Sequence, residues 1–402
     1  MMQDSEARLR ELLSTVEPPA SKMTATGLAL RGARTRRRRR QWLVTGAAGL
    51  ATLGLGSGVG MAGLIGGPPR TGPGQAQQPG TSAPPAALAC TVQRLALPPG
   101  ATEGEVNSGS PNGRYLAGLV AAKDNPGKPV RWDGTRAEPI PVAGIGEAQG
   151  VNDSGVVVGE AQTTDRRHFA WAWAGGKVVE LPIPEGYTGA EATAINAAGH
   201  VAGVLFDGDR AAAVVWRGTT ASARADVLDA PGGAMAFGIS DSGIVVGGLH
   251  DGSAAYRWDA KGRGSKLAGL AGTAGGDAQG VRGDWAYGLL PKDGKPGPSD
   301  MTTGTQGVQS VDWNVAVVWN LRTGKAGAVA GGRVEAVSST GQTVVNHPDG
   351  TASIRAVEGT LRALPALTAK GTAYAQALSD DGTGAGGSSA GDPVRWSCKP
   401  GR

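Results

Sequence analysis

"VNDSGVVVGE" occupies residues 151–160, "INAAGHVAGV" 195–204 and "ISDSGIVVGG" 239–248. The three stretches begin 44 residues apart and share one pattern: an apolar opener, a polar turn with glycine fifth, then a small or β-branched run holding a second glycine. A turn glycine supplies positive φ at no steric cost. A short apolar run after a turn reads as a strand. Aligned on the opener, the pattern has anchors at Val106, Val151, Ile195, Ile239, Val281, Val337 and Leu378, spaced 45, 44, 44, 42, 56 and 41 residues. Turn glycines follow five of them, at Gly155, Gly199, Gly243, Gly341 and Gly382. The next run ends at Gly118, Gly159, Gly203, Gly247, Gly288 and Gly386.

A further strand in each repeat closes on tryptophan, at Trp132, Trp173, Trp216, Trp258, Trp319 and Trp396, and a last segment reads like "KVVELPIP" at 177–184. Four short strands per period of 40–50 residues are the signature of a propeller blade. The expected fold is all-β: a seven-bladed β-propeller of four-stranded blades over residues 90–402. Radial packing covers both faces of every sheet, so the tryptophans are expected to pack between blades. Repeat five carries an insertion around "PSDMTTGTQGVQSVDWN", and repeat six has Asn346 at the strand glycine and no tryptophan.

The final repeat stops after its tryptophan, at "VRWSCKPGR" (394–402). Its missing outer strand matches "CTVQRLALPPG" (90–100), so the N-terminal strand should complete the seventh blade. Laid end to end, "RWSC" and "CTVQRL" put Cys90 and Cys398, the only two cysteines, where other blades have a hairpin. A disulfide there is expected, since neighbouring strand ends meet the required Cα separation. Such a bond suits an oxidising compartment.

The stretch 151–182 resembles the bacterial extracellular HAF repeat, whose consensus pairs an Ile-Asn-Asp-x-Gly-x-Val-Val-Gly turn with a His-Ala-Phe-x-Trp strand. His168, Phe169, Ala170 and Trp171 match the latter in scrambled order. The other repeats keep the turn and the tryptophan. The resemblance spans about residues 90–398 and implies a propeller-like fold and an extracellular location, without a reaction.

Ahead of the repeats, residues 1–41 carry ten Lys/Arg and four Asp/Glu, net +6, against 29 and 30 in the remainder, net −1. The basicity is therefore confined to the tail. Nucleic-acid recognition needs a basic face on the folded part, and this distribution implies none, so no nucleic-acid partner is expected. Arg36, Arg37, Arg38, Arg39 and Arg40 precede an uncharged stretch, 42–66. Its 25 residues give roughly 37 Å of helix, enough to cross a hydrocarbon core of about 30 Å. The arginines keep the N-terminus cytoplasmic. A single-pass transmembrane helix is expected, contacting the lipid bilayer through 42–66. "RRQWL" also resembles a twin-arginine export signal and "ALAC" (87–90) a lipoprotein site, and both alternatives place the bulk outside. In 1–41, Leu9, Leu12, Leu13 and Val16 recur at helical spacing, a short amphipathic helix open to a cytoplasmic partner. Residues 67–89 hold six prolines and form a Pro/Gly-rich linker.

No HExxH, CxxC, Ca²⁺-loop or phosphate-loop spacing occurs, so neither a metal nor a cofactor is expected. The expected role is a membrane-anchored extracytoplasmic binding, sensing or interaction module for a protein or glycan, rather than an enzyme. Two alternatives stay open: an envelope scaffold, and a propeller hydrolase or lyase with carboxylates at the central channel. For the latter the candidates are Asp153, Asp241, Asp380 and Asp381, at matching repeat positions.

Overall fold

A computed structural model describes residues 90–122, 125–293 and 314–399. The expected tail 1–41 with Arg36–Arg40, span 42–66, linker 67–89 and most of the repeat-five insertion lie outside the described residues. Among those described, no helix is long and apolar enough to cross a membrane.

The strands run from β1 (Cys90–Arg94) to β28 (Asp392–Cys398) and form seven antiparallel four-stranded sheets. Six sheets take four consecutive strands each, starting at β2. The protein is a seven-bladed propeller. The first strand of each blade is innermost, and these adjoin one another around the whole ring. They are β2 (Glu103–Gly109), β6 (Ile145–Val151), β10 (Gly189–Ile195), β14 (Ala234–Ile239), β18 (Asp277–Arg282), β22 (Arg333–Val337) and β26 (Ala373–Leu378).

Every inner strand carries a bulge: its register with the second strand slips by one residue, as between Ala148 and Gly150 in β6. Opposite the bulge, six of the seven second strands place glycine. A Cβ on Gly159 would lie 2.1 Å from the Glu147 carbonyl oxygen, and one on Gly203 2.0 Å from that of Glu191. The strand glycine is thus required by the inner backbone pressing against it.

The bulges also correct the repeat alignment. Val106 pairs with Gly118 as Ala148 does with Gly159, so Gly109, not Val106, corresponds to Val151 in the first repeat. The turn glycine of that blade is then Gly113, at φ 71°. By the same register the strand glycine of blade 7 is Gly387 rather than Gly386, and blade 6 has Val345 at this position rather than Asn346.

The tryptophans pack between blades, as expected. Trp216 is fully buried against Val158, Ala170 and Leu181 of blade 2 and Ala190 and Val201 of its own blade. Its indole nitrogen donates to the Pro182 carbonyl at 2.8 Å, in the segment leaving the preceding blade. Trp132, Trp258, Trp319 and Trp396 make the equivalent bond. Trp173 instead lies under the Arg131 guanidinium, 4.5 Å from its ring.

The seventh blade closes as its sequence predicts. Its order is β26, β27 (Gly384–Ser389), β28, β1, with Trp396 opposite Val92 and Cys398 opposite Cys90. In blade 2 the corresponding pair is Trp173 and Val178, and the turn beyond it is Gly175–Gly176. Cys398 and Cys90 therefore sit where those two turn residues sit. They are disulfide-bonded, with a Cα–Cα distance of 4.0 Å.

Candidate functional site

Strand alternation divides the connections between two faces. Turns joining first to second and third to fourth strands share one face, the turn face. Connections from second to third strands and from blade to blade share the other, the loop face.

The four candidate aspartates lie in first-to-second turns, and none lines the channel cavity. Asp153, Asp241 and Asp380 each accept a hydrogen bond from the preceding blade's turn: from the amides of Asn112 (2.9 Å), Ala197 (2.8 Å) and Ser339 (3.1 Å). Asp381 caps its own turn through Ser379 and Thr383. Asn152 and Asn196 tie their own turns and donate to the next blade's turn. Asp153, Asp241 and Asp380 are clamps between blades and Asp381 is a cap within its turn, so the expectation of a channel carboxylate site built from them is corrected.

Two other carboxylates, Asp381 and Asp226, imply acid sensitivity. Burial raises the Asp381 pKa, but bonds from Ser379 and Thr383 outweigh it and hold the carboxyl below its ordinary range. Burial likewise opposes Arg224 and Arg217 at Asp226, and the arginines prevail. A depressed folded pKa contributes stability above the unfolded value and loses it as pH falls through the folded one. Thermal unfolding should therefore shift to lower temperature progressively below about pH 4. A midpoint independent of pH in that window would contradict this account.

The channel cavity, of about 330 Å³, opens among the loop-face connections, including Asp209, Arg210 and His250. Equivalent positions before and within the seven bulges form two layers of inner-strand side chains. The layer nearer the loop face holds Glu105, Glu147, Glu191, Met235, Asp277, Arg333 and Tyr374. The second holds Asn107, Gln149, Thr193, Phe237, Gln279, Glu335 and Gln376.

At four consecutive seams a second-layer side chain meets the first-layer side chain of the next blade. Arg333 donates to Gln279 (3.4 Å), Tyr374 to Glu335 (2.7 Å), Gln376 to Glu105 (3.0 Å) and Asn107 to Glu147 (3.1 Å). This belt runs from blade 5 round to blade 2. Burial works against the charge of Arg333, but Glu335, Tyr374, Asp277 and Tyr287 hold its pKa above the ordinary value. At the seam of blades 2 and 3 the pattern changes: Glu191 faces His168, which also contacts Glu160 at 2.7 Å. Beyond it Phe206, Met235 and Phe237 make the adjoining wall apolar.

Six carboxylates line the cavity (Glu105, Glu160, Glu191, Asp209, Asp277, Glu335) against three arginines (Arg210, Arg282, Arg333). Carboxylates therefore outnumber arginines around the recess, Glu335 is ion-paired with Arg333, and Phe206, Met235 and Phe237 form an apolar stretch on blades 3 and 4. None of these side chains was singled out in the sequence as a carboxylate site. The usable signal was the strand glycine, which marks the bulge and hence the channel-lining positions beside it.

No protein-family model matches the sequence, and no curated protein does. The HAF-repeat resemblance therefore rests on the residues quoted above. Among solved structures the chain is similar to streptogramin B lyase, at 11% identity and TM-score 0.50, over 77% of this chain and 98% of that one. It is also similar to selenomethionine-substituted virginiamycin B lyase from Staphylococcus aureus, at 10% identity and TM-score 0.51, over 77% and 99%. At such identity the likeness shows the shared propeller fold alone.

Proposed function

We propose that the protein is an extracytoplasmic binding module, anchored through residues 42–66, whose channel mouth takes an organic cation with an apolar body. The observation that carries this is a cavity in which carboxylates outnumber arginines beside an apolar stretch of Phe206, Met235 and Phe237. Glu105, held in place by Gln376 of the belt, offers fixed negative charge to an ammonium or guanidinium group. The aromatic wall receives its hydrocarbon part and adds cation–π attraction. The disulfide between Cys90 and Cys398 supports a location outside the reducing cytoplasm. Cys90 lies on the turn face, so a tether entering there leaves the mouth on the far side of the disc.

Two measurements test the proposal. A reporter active only in oxidising compartments, fused after residue 402, should be active, whereas a cytoplasmic signal would remove the location. Calorimetric titration of the full chain with aryl-alkyl amines, guanidines and amino sugars should give saturable binding that weakens at high salt. Glu105→Gln should reduce the affinity about tenfold, an amount within the range for losing one charged contact. Equal affinity of neutral isosteres would defeat the ligand class.

A lyase or hydrolase is the second reading, and the observation favouring it is His168 held 2.7 Å from Glu160 beside the cavity. Turnover of an ester, lactone or glycoside that is lost in His168→Ala would establish it in place of the first.

A further inference from the structure

The seam between blades 2 and 3 departs from its neighbours, and the departure has a chemical content. His168 opens β8 (His168–Ala174), Glu160 lies in β7 (Val157–Gln162), and Glu191 lies in the adjacent blade's β10. One donor atom from each lies within 4.8 Å of the others. The side chains are largely buried, at 11%, 18% and 22% exposure.

The two histidine contacts differ in kind. Nε2 is 2.7 Å from a Glu160 oxygen, a charge-assisted hydrogen-bond distance. Nδ1 is 3.6 Å from a Glu191 oxygen. That is too long for a hydrogen bond. It is close to the separation of about 3.3–3.5 Å between two ligands on one tetrahedral ion with bonds of about 2.0–2.2 Å. With its proton on Nε2, facing Glu160, the imidazole turns the Nδ1 lone pair toward Glu191. A carboxylate behind a ligating histidine is the usual support of a metal site, since it fixes the tautomer and raises ligand basicity.

The imidazole is also sterically held. Phe206 packs on it with ring centroids 5.3 Å apart. Phe206 in turn needs Gly189, where a Cβ would come within 1.8 Å of its ring.

We infer that His168 and Glu191 ligate a divalent cation, with Glu160 orienting the imidazole, and that the remaining coordination positions face the channel cavity. The mixed nitrogen and oxygen set suits Zn²⁺ better than Mg²⁺ or Ca²⁺, which favour all-oxygen sites. An ion here would offset part of the cavity's excess of carboxylates. The inference goes beyond the organic-cation reading and does not depend on it.

The test uses the metal alone. The full chain, purified without a histidine tag and stripped with EDTA, is titrated with ZnCl₂ and separately with MgCl₂. One equivalent of Zn²⁺ should bind, and Mg²⁺ should bind far more weakly. His168→Ala and Glu191→Gln should abolish stoichiometric binding. Glu160→Gln should weaken it about 10–100-fold, as loss of an orienting carboxylate does. His347→Ala, on the far side of the ring in blade 6, should leave it unchanged.

In the native protein, zinc should also move the ¹⁵N resonance of His168 Nδ1, a readout that needs no variant to fold. Zinc binding that survives in His168→Ala overturns the site. So does a His168 ring that titrates as an imidazolium and ignores zinc, which would make the cluster an ion pair.

Discussion

Trp216→Ala lowers the unfolding free energy by about 3–5 kcal/mol, the cost of removing a large aromatic side chain from a close-packed core. The position is demanding for three reasons on one side chain. The indole is fully buried. It fills the seam between blades 2 and 3. Its nitrogen is one of the bonds that tie a blade to the segment leaving the one before it. The seam also carries Glu191, whose carbonyl oxygen lies against the strand containing Gly203, so loosening it should disturb the cavity as well. Chemical denaturation followed by fluorescence checks the value, with Trp173→Phe as a comparison. Trp173 lacks the carbonyl bond and should cost less. A loss below about 1 kcal/mol for Trp216→Ala would mean that the seam does not depend on its tryptophan.

Breaking the Cys90–Cys398 bond comes next in size. It closes a loop with a sequence separation of 308, and removing such a constraint costs about 2–4 kcal/mol. For a domain of this size that is a fall of about 3–6 °C in melting temperature. Cys398→Ala and reduction of the native protein should give the same fall, and reductant should have no effect on the variant. Two thiols titrating in the denatured, unreduced protein would contradict the bond directly.

Much of the fold was legible because its signals are local. A turn glycine at Gly155, a strand glycine at Gly203 and a tryptophan such as Trp216 each answer a steric demand repeated in every blade, so the period shows them. The closing strand was legible for a related reason: β28 lacks a partner in sequence order, and "CTVQRL" has the pattern of the partner it lacks. The cavity was not legible. An aspartate that clamps a turn and one that does chemistry are the same residue type, and the periodic set Asp153, Asp241 and Asp380 proved to be clamps. The side chains of the cavity are aperiodic, since each blade contributes a different one. Their positions depend on a bulge that the alignment, offset by three residues in the first repeat, did not expose. Glu160, His168 and Glu191 come from three strands of two blades, and only the packing of blade 3 on blade 2 sets them side by side.

The disulfide has a mechanical consequence. A pull on the chain from residue 89 enters the ring at Cys90, the end of β1. Held by hydrogen bonds alone, that strand would be loaded at one end and peel from β28 one pair at a time, from Cys90 to Arg94. With Cys90 bonded to Cys398, the force passes at the first residue into the neighbouring strand, and β1 cannot peel from β28 alone. The bond lies at the point where a pull on the preceding chain would otherwise begin to open the ring.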